Sequence, residues 1–122
     1  LMYAEAANEI GGPANTTAAL TALNSVRARA RKDAPAGAPA GILPDVTFTD
    51  QTLLRAAIQH ERRIELAMEH DRFFDIVRWG ISQTAMAAAG KTNFSASRDN
   101  LLPIPQTQID LSKGVLKQND GY

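Results

Sequence analysis

The sequence predicts an all-α protein, and three observations carry that expectation. The stretch Asp50–Gly80 holds no proline and no internal glycine, yet it carries five of the nine arginines and six of the thirteen acids. Alanine supplies much of the apolar fraction and only seven residues are aromatic, which suits closely packed helices better than a β-sandwich. Ahead of the central stretch, two helix-patterned segments flank the breaker Gly11-Gly12-Pro13.

Taken in order, residues 1–10 read as a helix already under way, with no capping residue ahead of it. Asn15 or Thr16 is placed to cap the next helix, which runs to Lys32. On its wheel Leu20, Leu23, Ala19 and Ala30 share an arc with Arg27 inside it, while Arg29 points the other way. Two short helices joined by a tight loop form a hairpin over 1–32, the unit of tetratricopeptide-like scaffolds, although no second copy of the pattern follows. Residues 33–49 are proline- and alanine-rich and read as an extended loop that folds back through Ile42, Leu43, Val46 and Phe48. Thr49 or Asp50 then caps the central helices over 50–80.

At helical pitch, Leu53, Ile64, Ala57, Met68, Leu54 and Ile58 fall within an arc of about 140°, with Glu61 and Glu65 in its middle. Arg55, Arg62 and Arg63 lie off that arc, as solvent-facing charges. Beyond Met68 the segment is apolar on every side, so Phe73, Phe74 and Trp79 are expected in the core, with Asp75 and Arg78 paired at i,i+3. A single helix over the whole stretch would run roughly 45 Å, long for this chain, which favours a break near His70. Residues 81–122 are expected to hold one weak alanine-rich helix, ended by Gly90, and an extended tail through Leu101-Leu102-Pro103-Ile104-Pro105.

Lysines and arginines equal the acids, 13 to 13, and within the central stretch they interleave, so no basic field for nucleic acid exists. The absence of cysteine excludes disulfides and thiolate metal sites. No apolar run approaches the ~18 residues of a membrane span.

Two carboxylates on an apolar stripe need partners, because an unpaired buried charge is costly. Arg27 on one arc and Glu61 with Glu65 on another are complementary. The expected result is a structural ion network of Arg27, Glu61, Glu65, Arg72, Asp75 and Arg78. The sharper alternative is a carboxylate pair acting on a glycosidic bond, but neighbours at i,i+4 imply no cleft, and nearby arginines would lower an acid's pKa. His60-Glu61-Arg62-Arg63-Ile64-Glu65 is one histidine short of the zinc-protease helix, and His70 lies on a different face. A lone Trp79 within an apolar segment reads as packing more readily than as a sugar platform. No catalytic, metal-binding or cofactor-binding residue is assigned.

Several unrelated blocks then agree in order. Glu61-Arg62-Arg63 with Glu65-Leu66, Glu69, Arg72-Phe73-Phe74-Asp75, Arg78-Trp79-Gly80, Leu102-Pro103-Ile104-Pro105, Gln118-Asn119 and Gly121-Tyr122 resemble the C-terminal signature of the SusD/RagB family. Tyr3-Ala4-Glu5-Ala6 and Leu23 to Ala30 resemble that family's preceding helix pair. The departures are His70, where a glycine often stands, and Asp120, where a proline is usual.

The resemblance implies a mostly α-helical, tetratricopeptide-like protein, lipid-anchored on the outer face of the outer membrane. Such proteins cap a TonB-dependent SusC-like transporter and bind oligosaccharides or other nutrients for import, and are not enzymes. Family members are much longer, so residues 1–122 are expected to be the C-terminal portion of such a domain, and no glycan contact is carried over. No cofactor is implied. A generic helical protein-interaction module is the alternative expectation.

Overall fold

Helix α1 (Met2–Ile10) ends at a Gly11-Gly12 turn, and α2 (Pro13–Lys32) starts at once behind it. The computed structural model describes residues 1–39 and 41–122; Ala40, in the predicted loop, lies outside the described residues. Gly11 (φ 75) and Gly12 (φ 84) both take left-handed backbone, which lets the chain reverse in two residues. The start of α2 differs from expectation. Pro13 occupies the first helical turn, where its missing N–H costs nothing, so the helix begins ahead of Asn15 and Thr16. Asn15 Nδ2 instead donates back to the Gly11 carbonyl at 2.8 Å.

Among the described residues all the regular structure is helical, and the chain divides into two compact units, Leu1–Ala67 and Met68–Tyr122. In the first, α1 packs on α2, and α3 (Gln51–Glu65) packs across both. Asp50 caps α3 by accepting from Leu53 N at 2.9 Å. The core of this unit is Ala4, Ala7, Ala19, Leu23, Val46, Leu54 and Ile58. Small residues on α1 and α2 let the helices approach closely, and the larger Leu23, Leu54 and Ile58 fill what remains.

The buried face of α3 is narrower than the wheel suggests. Leu54, Ile58 and Glu61 form the seam, while Leu53 and Ile64 are more than half exposed. A helix meeting its neighbours along one seam buries i, i+4 and i+7, and the flanks of a 140° arc stay outside. The loop behaves similarly. Among its described residues Val46 alone is buried, while Ile42 and Phe48 are exposed.

The central stretch breaks over 66–71, where Met68 (φ 74) and His70 (φ 65) both turn left-handed. That explains why glycine suits the position of His70, since a side chain there costs about 1–2 kcal/mol.

In the second unit, α4 (Arg72–Arg78) packs against α5 (Ser82–Ala88) and buries Asp75, Ile76 and Ser82. Phe74 is 69% exposed, contrary to the expectation that it belongs to the core. Phe73 and Trp79 are half-buried, and Phe73 meets Phe74 and Phe94 edge-on. The tail is extended over 101–105 as its prolines demand, but two short helices flank that segment, α6 (Ala96–Asp99) and α7 (Gln106–Leu111). Neither is long enough to show a helical period in the sequence.

Candidate functional site

In the first unit, the charges of α2 and α3 meet across the helix interface. Arg27 Nε lies 3.6 Å from Glu61 Oε2, and both side chains are largely withdrawn from water, at 15% and 7% exposed. That separation exceeds a hydrogen bond, and the buried Nε has no other partner, so the attraction is coulombic. One turn along, Glu65 accepts from Arg29. Arg29 was expected to face away; its long stem carries the guanidinium around the helix from an exposed position.

Two further arginines read as solvent-facing or unassigned also fasten elements. Arg55 grips Glu9 of α1 with both Nε and Nη2, at 2.6 and 2.7 Å. The Arg55 fork holds the Glu9 carboxyl below the usual range. Arg31 ties the loop, reaching Asp45 at 2.8 Å and the Leu43 carbonyl at 2.7 Å.

The second unit holds the remaining members of the predicted network. Arg78 Nε donates to the buried Asp75 at 2.9 Å. Both Arg78 and Arg72 also stand over the Trp79 ring, 4.8 and 5.8 Å from its centre, where the ring's negative face attracts a cation. Within the first unit Arg27 and Glu61 approach each other and Glu65 pairs with Arg29, and within the second Asp75 pairs with Arg78 beside Trp79 and Arg72.

Sequence reasoning missed a recurring device, a side-chain carboxamide that pairs with the backbone as a strand would. Asn24 accepts from Val46 N at 2.8 Å and donates to Val46 O at 2.9 Å, which pins a buried residue of the loop. Gln118 does the same to Ile104, at 2.7 and 2.8 Å. Gln83 takes Ala96 N and gives to Phe94 O. Asn8 and Gln51 each donate to the other's carbonyl, joining α1 to α3. A carboxamide presents a donor and an acceptor side by side, as an extended residue does, so it satisfies a lone stretch of backbone that no strand accompanies. The signal available in the sequence was the pairing of Gln118-Asn119 with the extended Leu102–Pro105.

The end of the chain completes that clip. Asn119 donates to Leu102 O, and the Tyr122 hydroxyl to Leu101 O and Asp99. Gly121 (φ 91) passes so close to Arg98 that a Cβ would come within 2.8 Å of its Cγ. Asp99 accepts from Arg98 and from Ser95 N, and these hold its carboxyl at about 2.

The chemistry these groups permit is limited. Glu61 and Glu65 are each occupied by an arginine and line neither of two surface openings. One opening, of about 470 Å³, lies at the start of α2 beside Thr16, Leu20, Thr49 and Gln51. The other, of about 370 Å³, lies between the end of α5 and α6. Among the described residues no three histidine, cysteine or acidic side chains gather as metal ligands, and no helix is long and apolar enough to cross a membrane.

The sequence matches a model of the SusD family over residues 1–122. It is 35% identical over 125 residues to SusD-like protein P2 of Formosa agariphila, covering all of this chain and 24% of the relative. SusD-like protein P25 of the same organism is 34% identical over 131 residues, again covering all of this chain and 23% of the relative. The chain thus spans about a quarter of the length of these curated relatives. No solved structure matches it significantly.

Proposed function

The chain belongs to the SusD family, and from that membership we propose that it is the scaffold part of a cell-surface protein that binds carbohydrate and does not cleave it. In this reading residues 1–122 form the C-terminal portion of a SusD-like helical domain. The longer protein is lipid-anchored at the outer membrane and works with a SusC-like TonB-dependent transporter to import oligosaccharides. The observation that carries the scaffold role is where the charges go. Four arginine–carboxylate pairs, each with one member or both in the central stretch, hold helices to one another or to themselves: Arg27–Glu61, Arg29–Glu65, Arg55–Glu9 and Arg78–Asp75.

Calorimetry of the folded chain against neutral and acidic oligosaccharides tests this. The expected result is no affinity tighter than ~100 μM, about −5.5 kcal/mol, and no bond cleavage. Cleavage abolished by Glu61→Gln with the fold intact would overturn the non-enzymatic reading. Co-purification of the longer protein with a transporter tests the partnership, and its absence from a membrane detergent extract would count against it.

A second reading, a helical protein-interaction module, is favoured by the outer side of α1. Met2, Tyr3 and Ile10 are each at least 66% exposed there, while Ala4 and Ala7 are buried. Saccharide binding by the longer protein would set the first reading above it.

A further inference from the structure

The opening of about 370 Å³ in the second unit has an unusual division of labour among its walls. Met86 and Phe94 give it an apolar side. Lys91, Thr92 and Asn93 give it a polar rim, and Asp99 closes the end. The rim loop is fixed from behind. Lys91 N donates to Met86 O at 2.9 Å, Phe94 N to Lys91 O at 3.2 Å, and Gln83 clips the backbone of Phe94 and Ala96. Phe94 is also held by the edge-on contact with Phe73, at 6.4 Å between ring centres. Binding to such a loop costs little ordering.

The charges here are not equally available. The Asp99 carboxylate already accepts from Arg98, Ser95 N and the Tyr122 hydroxyl, so it has little capacity left for a ligand. Among the described residues, the Lys91 ammonium, the Thr92 hydroxyl and the Asn93 carboxamide have no such partners. One free cation, two neutral hydrogen-bonding groups and a half-buried aromatic ring match a ring that is apolar on one face, carries hydroxyls at its edge and bears one carboxylate.

We propose that this opening is a subsite for a single uronic-acid residue of an acidic polysaccharide. Lys91 meets the carboxylate, Thr92 and Asn93 meet ring hydroxyls, and Phe94 with Met86 takes the C–H face. The proposal rests on the carbohydrate-binding reading above and adds to it the sugar class and one contact site. An open subsite of this volume, near the lower end for small-ligand sites, holds one ring weakly, at about 1 mM or above. That is consistent with a chain that does not bind glycans tightly.

The test is an amide-shift titration of the 122-residue chain with methyl glucuronoside, methyl glucoside and acetate. The expected result is saturable shifts at residues 90–94 with the glucuronoside, at least about threefold weaker with the glucoside, and none with acetate. Lys91→Gln should weaken the glucuronoside about three- to fivefold, as for an exposed ion pair, and Lys91→Glu more, with the rest of the spectrum unchanged. Equal binding by Lys91→Glu, equal shifts with acetate, or no shift at 90–94 overturns the subsite. Saccharide-induced shifts confined to other residues overturn it too, while leaving the carbohydrate reading in place. No saccharide binding by this chain or by the longer protein removes both.

Discussion

The two units of the chain are ordered by different means. Among the described residues, Leu1–Ala67 encloses seven buried apolar side chains, and Met68–Tyr122 buries one, Ile76, together with Asp75 and Ser82. The first unit is held by a core, to which ion pairs add register. Carboxamide clips occur in both units, but the second, with little core, relies on them together with aromatic edges and cations over rings. Similar helix-forming composition thus leads to two kinds of stability, because the 55 residues of the second unit do not gather enough apolar area to bury.

The largest expected effect sharpens this contrast. Leu54→Ala, at a fully buried position, should cost about 3–4 kcal/mol in urea unfolding followed by circular dichroism. Phe74→Ala, at a larger but exposed residue, should stay within about 0.5 kcal/mol. A cost for Phe74→Ala comparable to that of Leu54→Ala would show that the second unit has a core of its own.

Next comes the ion pairing within the first unit. Arg27→Ala leaves Glu61 buried and unpaired and should cost about 3 kcal/mol. Arg29→Ala, whose side chain is 62% exposed, should cost about 1 kcal/mol or less. Equal losses from the two in the same unfolding assay would place both pairs in water.

In the second unit, Gln118→Ala removes both hydrogen bonds to Ile104 and should cost about 1–2 kcal/mol. Hydrogen exchange should report the loss at the Ile104 amide and leave the core of the first unit protected. The smallest effect is in pH. Asp99 titrates at about 2, below its ordinary 3.8, because Arg98 first and Ser95 N second favour the carboxylate. A depressed folded-state value means the stabilisation is present above about 4 and is lost as pH falls through about 2. Asp99→Asn should abolish that acid-induced loosening of the tail, followed by Tyr122 fluorescence, and leave the first unit's acid response unchanged.

How much of this was legible follows the same division. The helix seam Leu54–Ile58–Glu61 and the facing of Arg27 toward Glu61 or Glu65 are read from periodicity, which a core-building helix must display, and the cap, as Thr49 or Asp50, from residue type. Leu53, Ile64 and Phe74 misled the reading, because apolar character states what a residue tolerates and not which neighbours reach it. The clips were illegible for a different reason. Asn24, Gln83 and Gln118 act on backbone atoms, and a backbone amide leaves no trace in the identity of Val46, Ala96 or Ile104. The left-handed turn at His70 was marked only by the glycine that the resemblance places there.

The carboxamide clips also bear on the order in which the chain becomes structured. Gln118 joins residues 14 apart, Gln83 and Ala96 are 13 apart, Asn24 and Val46 are 22 apart, and Asn8 and Gln51 are 43 apart. Closing the 14-residue span costs about 1 kcal/mol less chain entropy than closing the 43-residue one. Three of the four clips take a backbone N–H, so the Ala96, Ile104 and Val46 amides are built-in clocks. Pulsed exchange during refolding should find the first two protected before the third. At equilibrium the sequence inverts, since the unit without a core also opens most readily. Early closure and late persistence belong to opposite ends of the same short chain.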